Sequence, residues 1–168
     1  TIEKTKTVIF IRHGESKWNE ATKDISTEAR LNVMSEPEQI AQFSHLIDAE
    51  LSEQGRIDAE NISVTLPELL AGDPEGESCT PAQKAARKLN NAVSNGTCYF
   101  ATSPLRRAVE TGVRALHSLF EMNQKQMVVH EDKHLTEASS NIDSKKRGDD
   151  STFDTEIQSR PGVQVKKD

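Results

Sequence analysis

The stretch Val8-Ile9-Phe10-Ile11-Arg12-His13-Gly14-Glu15-Ser16-Lys17-Trp18-Asn19 constrains the fold more than any other part of the chain. Four consecutive apolar residues, mostly β-branched, predict a buried strand. The run then breaks abruptly into an arginine, a histidine and a glycine. At the carboxyl end of a buried strand, a cation, a titratable nucleophile and a flexible backbone point predict a pocket for an anion.

The remaining elements follow from periodicity and punctuation. Residues 20–50 form a polar, charge-mixed stretch with a short helix expected around 38–47, a length typical of segments that cover a site or are poorly ordered. Ser52 is placed to cap a helix carrying Ile57, Ile62, Leu66, Leu69 and Leu70 on one side. After a loop over residues 71–78, Thr80-Pro81 predicts a second helix to about Val93, lying on a face of the sheet and ended by Asn95-Gly96. Residues 97–102 read as a second buried strand. Ser103-Pro104 then opens a third helix whose apolar positions run from Leu105 to Phe120. Met127-Val128-Val129 is a short third strand, and strands alternating with helices predict a parallel α/β sheet. The domain is expected over residues 1–143, with residues 144–168 a polar excursion or disordered tail.

Composition narrows the function. The chain has 168 residues, enough for one domain, and is lean in core-forming side chains, with 34% hydrophobic and 29% charged residues. A formal charge of -6 disfavours a broad nucleic-acid-binding face. No apolar run approaches a membrane span and no leader is evident, so a soluble, cytoplasmic protein is expected. Cys79 and Cys98 lack metal-site spacing and read as two reduced thiols, with no metal or organic cofactor implied.

Two strand-to-helix junctions share one design. Ile11 leads into Arg12-His13-Gly14, and Thr102 into Ser103-Pro104-Leu105-Arg106-Arg107. In a parallel sheet both lie at the same edge, so arginines of the second can converge on the histidine of the first. Guanidinium groups bind phosphate oxygens in pairs, and free N–H groups at the start of the third helix add to the same field. A neutral imidazole nitrogen attacks phosphorus without a separate base, which makes His13 the nucleophile, against the plainer alternative of a packing or capping histidine. Adjacent helical residues point about 100° apart, so one of Arg106 and Arg107 reaches the pocket while the other makes a solvated contact. Glu137 follows the third strand at the same edge, where a carboxyl group can protonate a leaving oxygen.

In this order, Arg12-His13-Gly14-Glu15-Ser16 with Trp18-Asn19, Leu51-Ser52-Glu53-Gln54-Gly55, Ser103-Pro104-Leu105-Arg106-Arg107-Ala108 with Glu110-Thr111, and Leu135-Thr136-Glu137 resemble the histidine phosphatase superfamily, also called phosphoglycerate mutase-like. The resemblance implies a three-layer α/β sandwich with a mainly parallel sheet flanked by helices. It implies that His13 is transiently phosphorylated, that Arg12 and Arg107 bind the phosphoryl group, and that Glu137 donates the proton. Asn19, Gly14 and Ser103 would line the phosphate site. Glu137-Ala138-Ser139-Ser140-Asn141-Ile142-Asp143 is more similar to the broad phosphatases than to the mutases, so the expected activity is hydrolysis of a small phosphorylated substrate with inorganic phosphate as product.

One departure matters. Members of that superfamily carry a second catalytic histidine on a later strand, and none of His45, His117, His130 and His134 has its setting. The expectation is therefore a fold incomplete at its C-terminus, the N-terminal portion of a longer phosphatase. The alternatives are a phosphate-binding relative without turnover and a mutase-type phosphoryl transferase.

Overall fold

The computed structural model describes residues 6–26, 41, 43–71, 79–136 and 151–167. Its helices are α1 (Lys17–Thr22), α2 (Glu53–Ala71), α3 (Pro81–Ser94), α4 (Arg106–Met122) and α5 (Ser151–Gln158). Its strands are β1 (Phe100–Thr102), β2 (Met127–Glu131) and β3 (Val163–Lys167), with single 3-10 turns at Ser44–Leu46 and Lys133–Leu135. The strands form one parallel sheet in the order β1-β2-β3, aligning Phe100 with Val129 and Val129 with Val165. The architecture is α/β, a three-strand parallel sheet packed against helices.

Helix α4 is the hub. Apolar side chains recur at Val109, Val113, Leu116 and Phe120, joined by Ala115 and Leu119, giving a face too wide for one neighbour. It packs on β1 and β2 on one side, and on α2, α3 and α5 around the rest. Gly112 is what brings it so close to β1, because a Cβ there would fall on the Phe100 ring. Met127, Val129 and Val163 turn into this core, while the alternate residues Val128, His130 and Gln164 face the other way and are half-buried or exposed. A smaller cluster of Trp18, Leu46 and Ala49 closes over α1, with Phe43 edge-on to Trp18 at 5.7 Å.

Helix boundaries have local causes. Thr80 and Gln83 form a reciprocal capping box at the start of α3, and the helix runs out at Asn95 before Gly96 at φ +66. Helix α3 rests against α2 and α4, and its Ala86 and Val93 join the same core as Met127 and Val129 of the sheet. Helix α2 continues through Pro67, which has no N–H to give. The Ser63 carbonyl that this leaves is taken by the Ser118 hydroxyl of α4 at 3.2 Å, so the proline also bonds the two helices together.

Two expectations are corrected. Residues 8–11 form no strand: they carry no regular secondary structure, and Val8, Ile9, Phe10 and Ile11 are 68%, 39%, 89% and 41% exposed. An all-apolar run becomes a buried strand only where an edge pairs with it and layers cover both its faces, and among the described residues the sheet ends at β1. The expected polar tail contains α5 and β3, whose Ile157 and Val163 are buried against α4 and β2; Val163 and Val165 supply the alternation that binds β3 to the sheet. Within the helix expected at 38–47, Ala41 and Phe43 are helical and the turn Ser44–Leu46 follows them, while 38–40 and 42 lie outside the described residues.

Cys79 and Cys98 are free thiols, and burial pushes that of Cys98 up. Among the described residues no helix is long and apolar enough to cross a membrane, and no group of three or more His, Cys, Asp or Glu is arranged to hold a metal ion.

Candidate active site

The loop that carries His13 is held by backbone rungs. Residues 15–17 run antiparallel to residues 50–52: Ser16 bridges Leu51, Ser52 N donates to Glu15 O at 2.9 Å, and Lys17 N donates to Glu50 O at 3.0 Å. The Ser52 hydroxyl donates to Glu15 Oε1 at 2.7 Å while accepting Gly55 N at 3.1 Å, so the cap of α2 is also a clamp on the loop. Gly14 and Gly55 lie back to back. A Cβ on Gly14 would sit 2.9 Å from Gly55 O, and one on Gly55 would collide with the Glu15 carbonyl. No other residue type fits either position without moving the loop.

The imidazole of His13 is oriented from both nitrogens. Nδ1 lies 2.7 Å from the carbonyl oxygen of Gly14, which can only accept, and Nε2 lies 3.2 Å from Arg107 Nε, which can only donate. A proton on Nδ1 and a lone pair on Nε2 satisfy both of these contacts. Arg107, at the first turn of α4, is 2% exposed. Thr111, one turn on, donates its hydroxyl to Arg107 O at 2.6 Å and accepts Gly14 N at 3.0 Å. Histidine loop and arginine helix are thus joined through one side chain.

The other expected site residues are placed differently. Arg12, next to His13 in the chain, is exposed and has no hydrogen bond or ion pair among the described residues. Asn19 is half-buried and occupied locally: its Oδ1 accepts Ser16 N at 3.1 Å and Ser16 Oγ at 2.9 Å, completing the capping box of α1. Ser103 is half-buried between β1 and α4. Glu137, with Ala138 to Asp143, lies outside the described residues.

Arg106 corrects an expectation. It was to be the solvated member of the pair, yet it is 8% exposed, with its guanidinium 5.4 Å from the Phe153 ring centre of α5. Asp48, at φ +50, accepts Arg106 N at 2.8 Å and holds its carboxylate 4.0 Å from the guanidinium. Because Leu105 offers no side-chain cap, this aspartate from a distant loop supplies the cap of α4. Helix α4 accordingly begins at Arg106, later than the Ser103-Pro104 start expected.

The residues that assemble the site and were given no role by sequence reasoning are Asp48, Gly55, Glu110 and Thr111. For two of them a signal existed: Thr111 stands four residues after Arg107 and Glu110 four before Arg114, the spacing of facing side chains on a helix. Gly55 stands within the Leu51–Gly55 motif, whereas Asp48 acts through tertiary approach, which no local pattern announces.

What the arrangement can do chemically is set an imidazole nitrogen beside a buried guanidinium, a pairing of side chains suited to an anion. Compared with known proteins, the chain matched no family model, no curated protein and no solved structure.

Proposed function

We propose that this chain carries the phosphohistidine side of a phosphomonoester hydrolase. The observation that supports the reading is the His13 imidazole with Nδ1 on the Gly14 carbonyl and Nε2 3.2 Å from the Arg107 guanidinium. The reaction would run in two displacements. The Nε2 lone pair forms a bond to phosphorus as the ester P–O bond breaks, Arg107 neutralises the equatorial oxygens, and the departing alkoxide takes a proton. Water then attacks the phosphohistidine, the P–N bond breaks, and inorganic phosphate leaves. By the resemblance set out above, Glu137 gives the proton in the first step and takes one from water in the second, Arg12 completes the clamp, and no cofactor enters. The same resemblance implies a three-layer sandwich, with helices also on the face of the sheet that carries Val128 and His130, since parallel sheets are normally covered on both faces.

Phosphate binding without turnover is a second reading, favoured by the described residues, among which Arg107 is the arginine hydrogen-bonded to His13 and Arg12 is exposed. Release of p-nitrophenol from p-nitrophenyl phosphate separates the two. Hydrolysis is expected for the wild-type protein, lost in His13→Ala and reduced about 100-fold or more in Arg107→Ala. Turnover that persists unchanged in His13→Ala overturns the proposal, and stabilisation by phosphate without turnover favours the binder.

A further inference from the structure

Glu110 of α4 is 1% exposed, and an ionised carboxylate so deeply placed needs a full set of donors. It has three. Oε1 accepts Arg56 Nε at 2.7 Å and Arg114 Nε at 2.9 Å, and Oε2 accepts the backbone N–H of Leu51 at 3.1 Å. The two guanidiniums carry the charge outward, Arg56 to Glu50 at 2.6 Å and Arg114 to Glu60 at 2.6 Å and Glu156 at 3.2 Å. The hydrogen bond to Glu110 is also the main cause holding the Arg56 pKa above its ordinary value.

A buried ionic cluster of this kind is a poor source of stability, because desolvation offsets the attraction; its distinctive product is direction. Here the direction is a single backbone N–H, that of Leu51. Leu51 bridges Ser16, and Ser52 next to it holds both the carbonyl and the carboxylate of Glu15. Thr111, the neighbour of Glu110, holds Gly14. Helix α4 therefore grips the His13 loop on both sides, directly through Thr111 and through residues 50–52 by way of Glu110.

We infer that Glu110 is a positioning residue for His13. Its carboxylate fixes residues 50–52, these fix residues 14–17, and the loop then holds the imidazole with Nδ1 on the Gly14 carbonyl and Nε2 toward Arg107. The consequence for turnover rests on the phosphohistidine reading; the consequence for the imidazole does not. Glu110→Gln keeps the shape and removes the charge. Arg56→Gln, at a half-buried residue, removes one donor and tolerates folding more easily.

The test pairs nitrogen-15 NMR of histidine-labelled protein with kinetics on p-nitrophenyl phosphate, both taken well below the melting temperature of each variant. Wild-type His13 is expected to show one protonated Nδ1 and one unprotonated Nε2. Glu110→Gln is expected to move these resonances toward a tautomer mixture and to lower kcat about 10- to 100-fold with KM within about twofold, and Arg56→Gln to do the same more weakly. A merely structural Glu110 would lower the melting temperature and leave tautomer and kcat as in wild type, which overturns the inference. If the wild-type protein shows no turnover, the phosphohistidine reading fails and the tautomer shift alone decides on Glu110: its presence in the variants supports positioning, its absence refutes it.

Discussion

Residues 8–11 and residues 13–19 are adjacent in the chain and have opposite fates. The first segment is the more hydrophobic, yet every one of its side chains is exposed. The second is polar apart from Trp18, yet Ser16 and Trp18 are buried and the loop is bonded to residues 50–52, Thr111 and Arg107. The contrast shows that burial at this site is set by partners with matching geometry. Hydrophobicity earns burial where a surface of the right shape is present; hydrogen-bonding loops bring their own registration.

That contrast can be attacked from its strongest point downward. Gly55→Val places side-chain atoms into the Glu15 backbone, so it should cost about 3 kcal/mol in denaturant unfolding, at the upper end of overpacking penalties. A loss under about 1 kcal/mol would mean that the loop yields easily and that its registration is weak. Thr111→Val is nearly isosteric but removes the acceptor for Gly14 N and the donor to Arg107 O. It should cost about 1–2 kcal/mol by the same measurement, the cost of leaving a partly buried N–H unmet. The smallest effect is expected on the other side of the comparison. Phe10→Ser, at a residue 89% exposed, should change stability by less than about 0.5 kcal/mol. A loss above about 2 kcal/mol would show residues 8–11 packed as a further strand and erase the distinction.

The sequence carried the alternating part of the fold well, for physical reasons that differ between elements. Helix α4 was legible because its apolar positions repeat at helical spacing over 17 residues, and α3 because Thr80-Pro81 and Asn95-Gly96 punctuate its ends. Helix α5 and strand β3 were not, since eight and five residues of mixed polarity hold too few periods to stand out from a tail; their burial is conferred by α4 and β2. The segment 8–11 misled in the opposite direction. Its composition states a preference for the interior, and whether an interior is available is a property of other parts of the chain.

In the candidate site, residue types were legible and relations were not. A histidine at the head of one loop and an arginine at the head of a helix could be read as converging, and the structure brings Nε2 of His13 and Nε of Arg107 to 3.2 Å. The means of convergence lies in contacts between residues far apart in the chain: Thr111 with Gly14, Gly55 with Glu15, Glu110 with Leu51, Asp48 with Arg106. Asn19 shows the same limit from the other side, since a residue expected at the phosphate has its carbonyl oxygen engaged by a helix cap.

The central claim is that Nε2 of His13 accepts a phosphoryl group. Its most direct test is to mix the protein with phosphorus-32-labelled p-nitrophenyl phosphate, quench in alkali, and locate the label by peptide mapping. The account predicts an alkali-stable, acid-labile phosphoryl group on the peptide containing His13, absent from His13→Asn. Turnover of the substrate with no label on His13 in the wild-type protein, or equal labelling in His13→Asn, would contradict it.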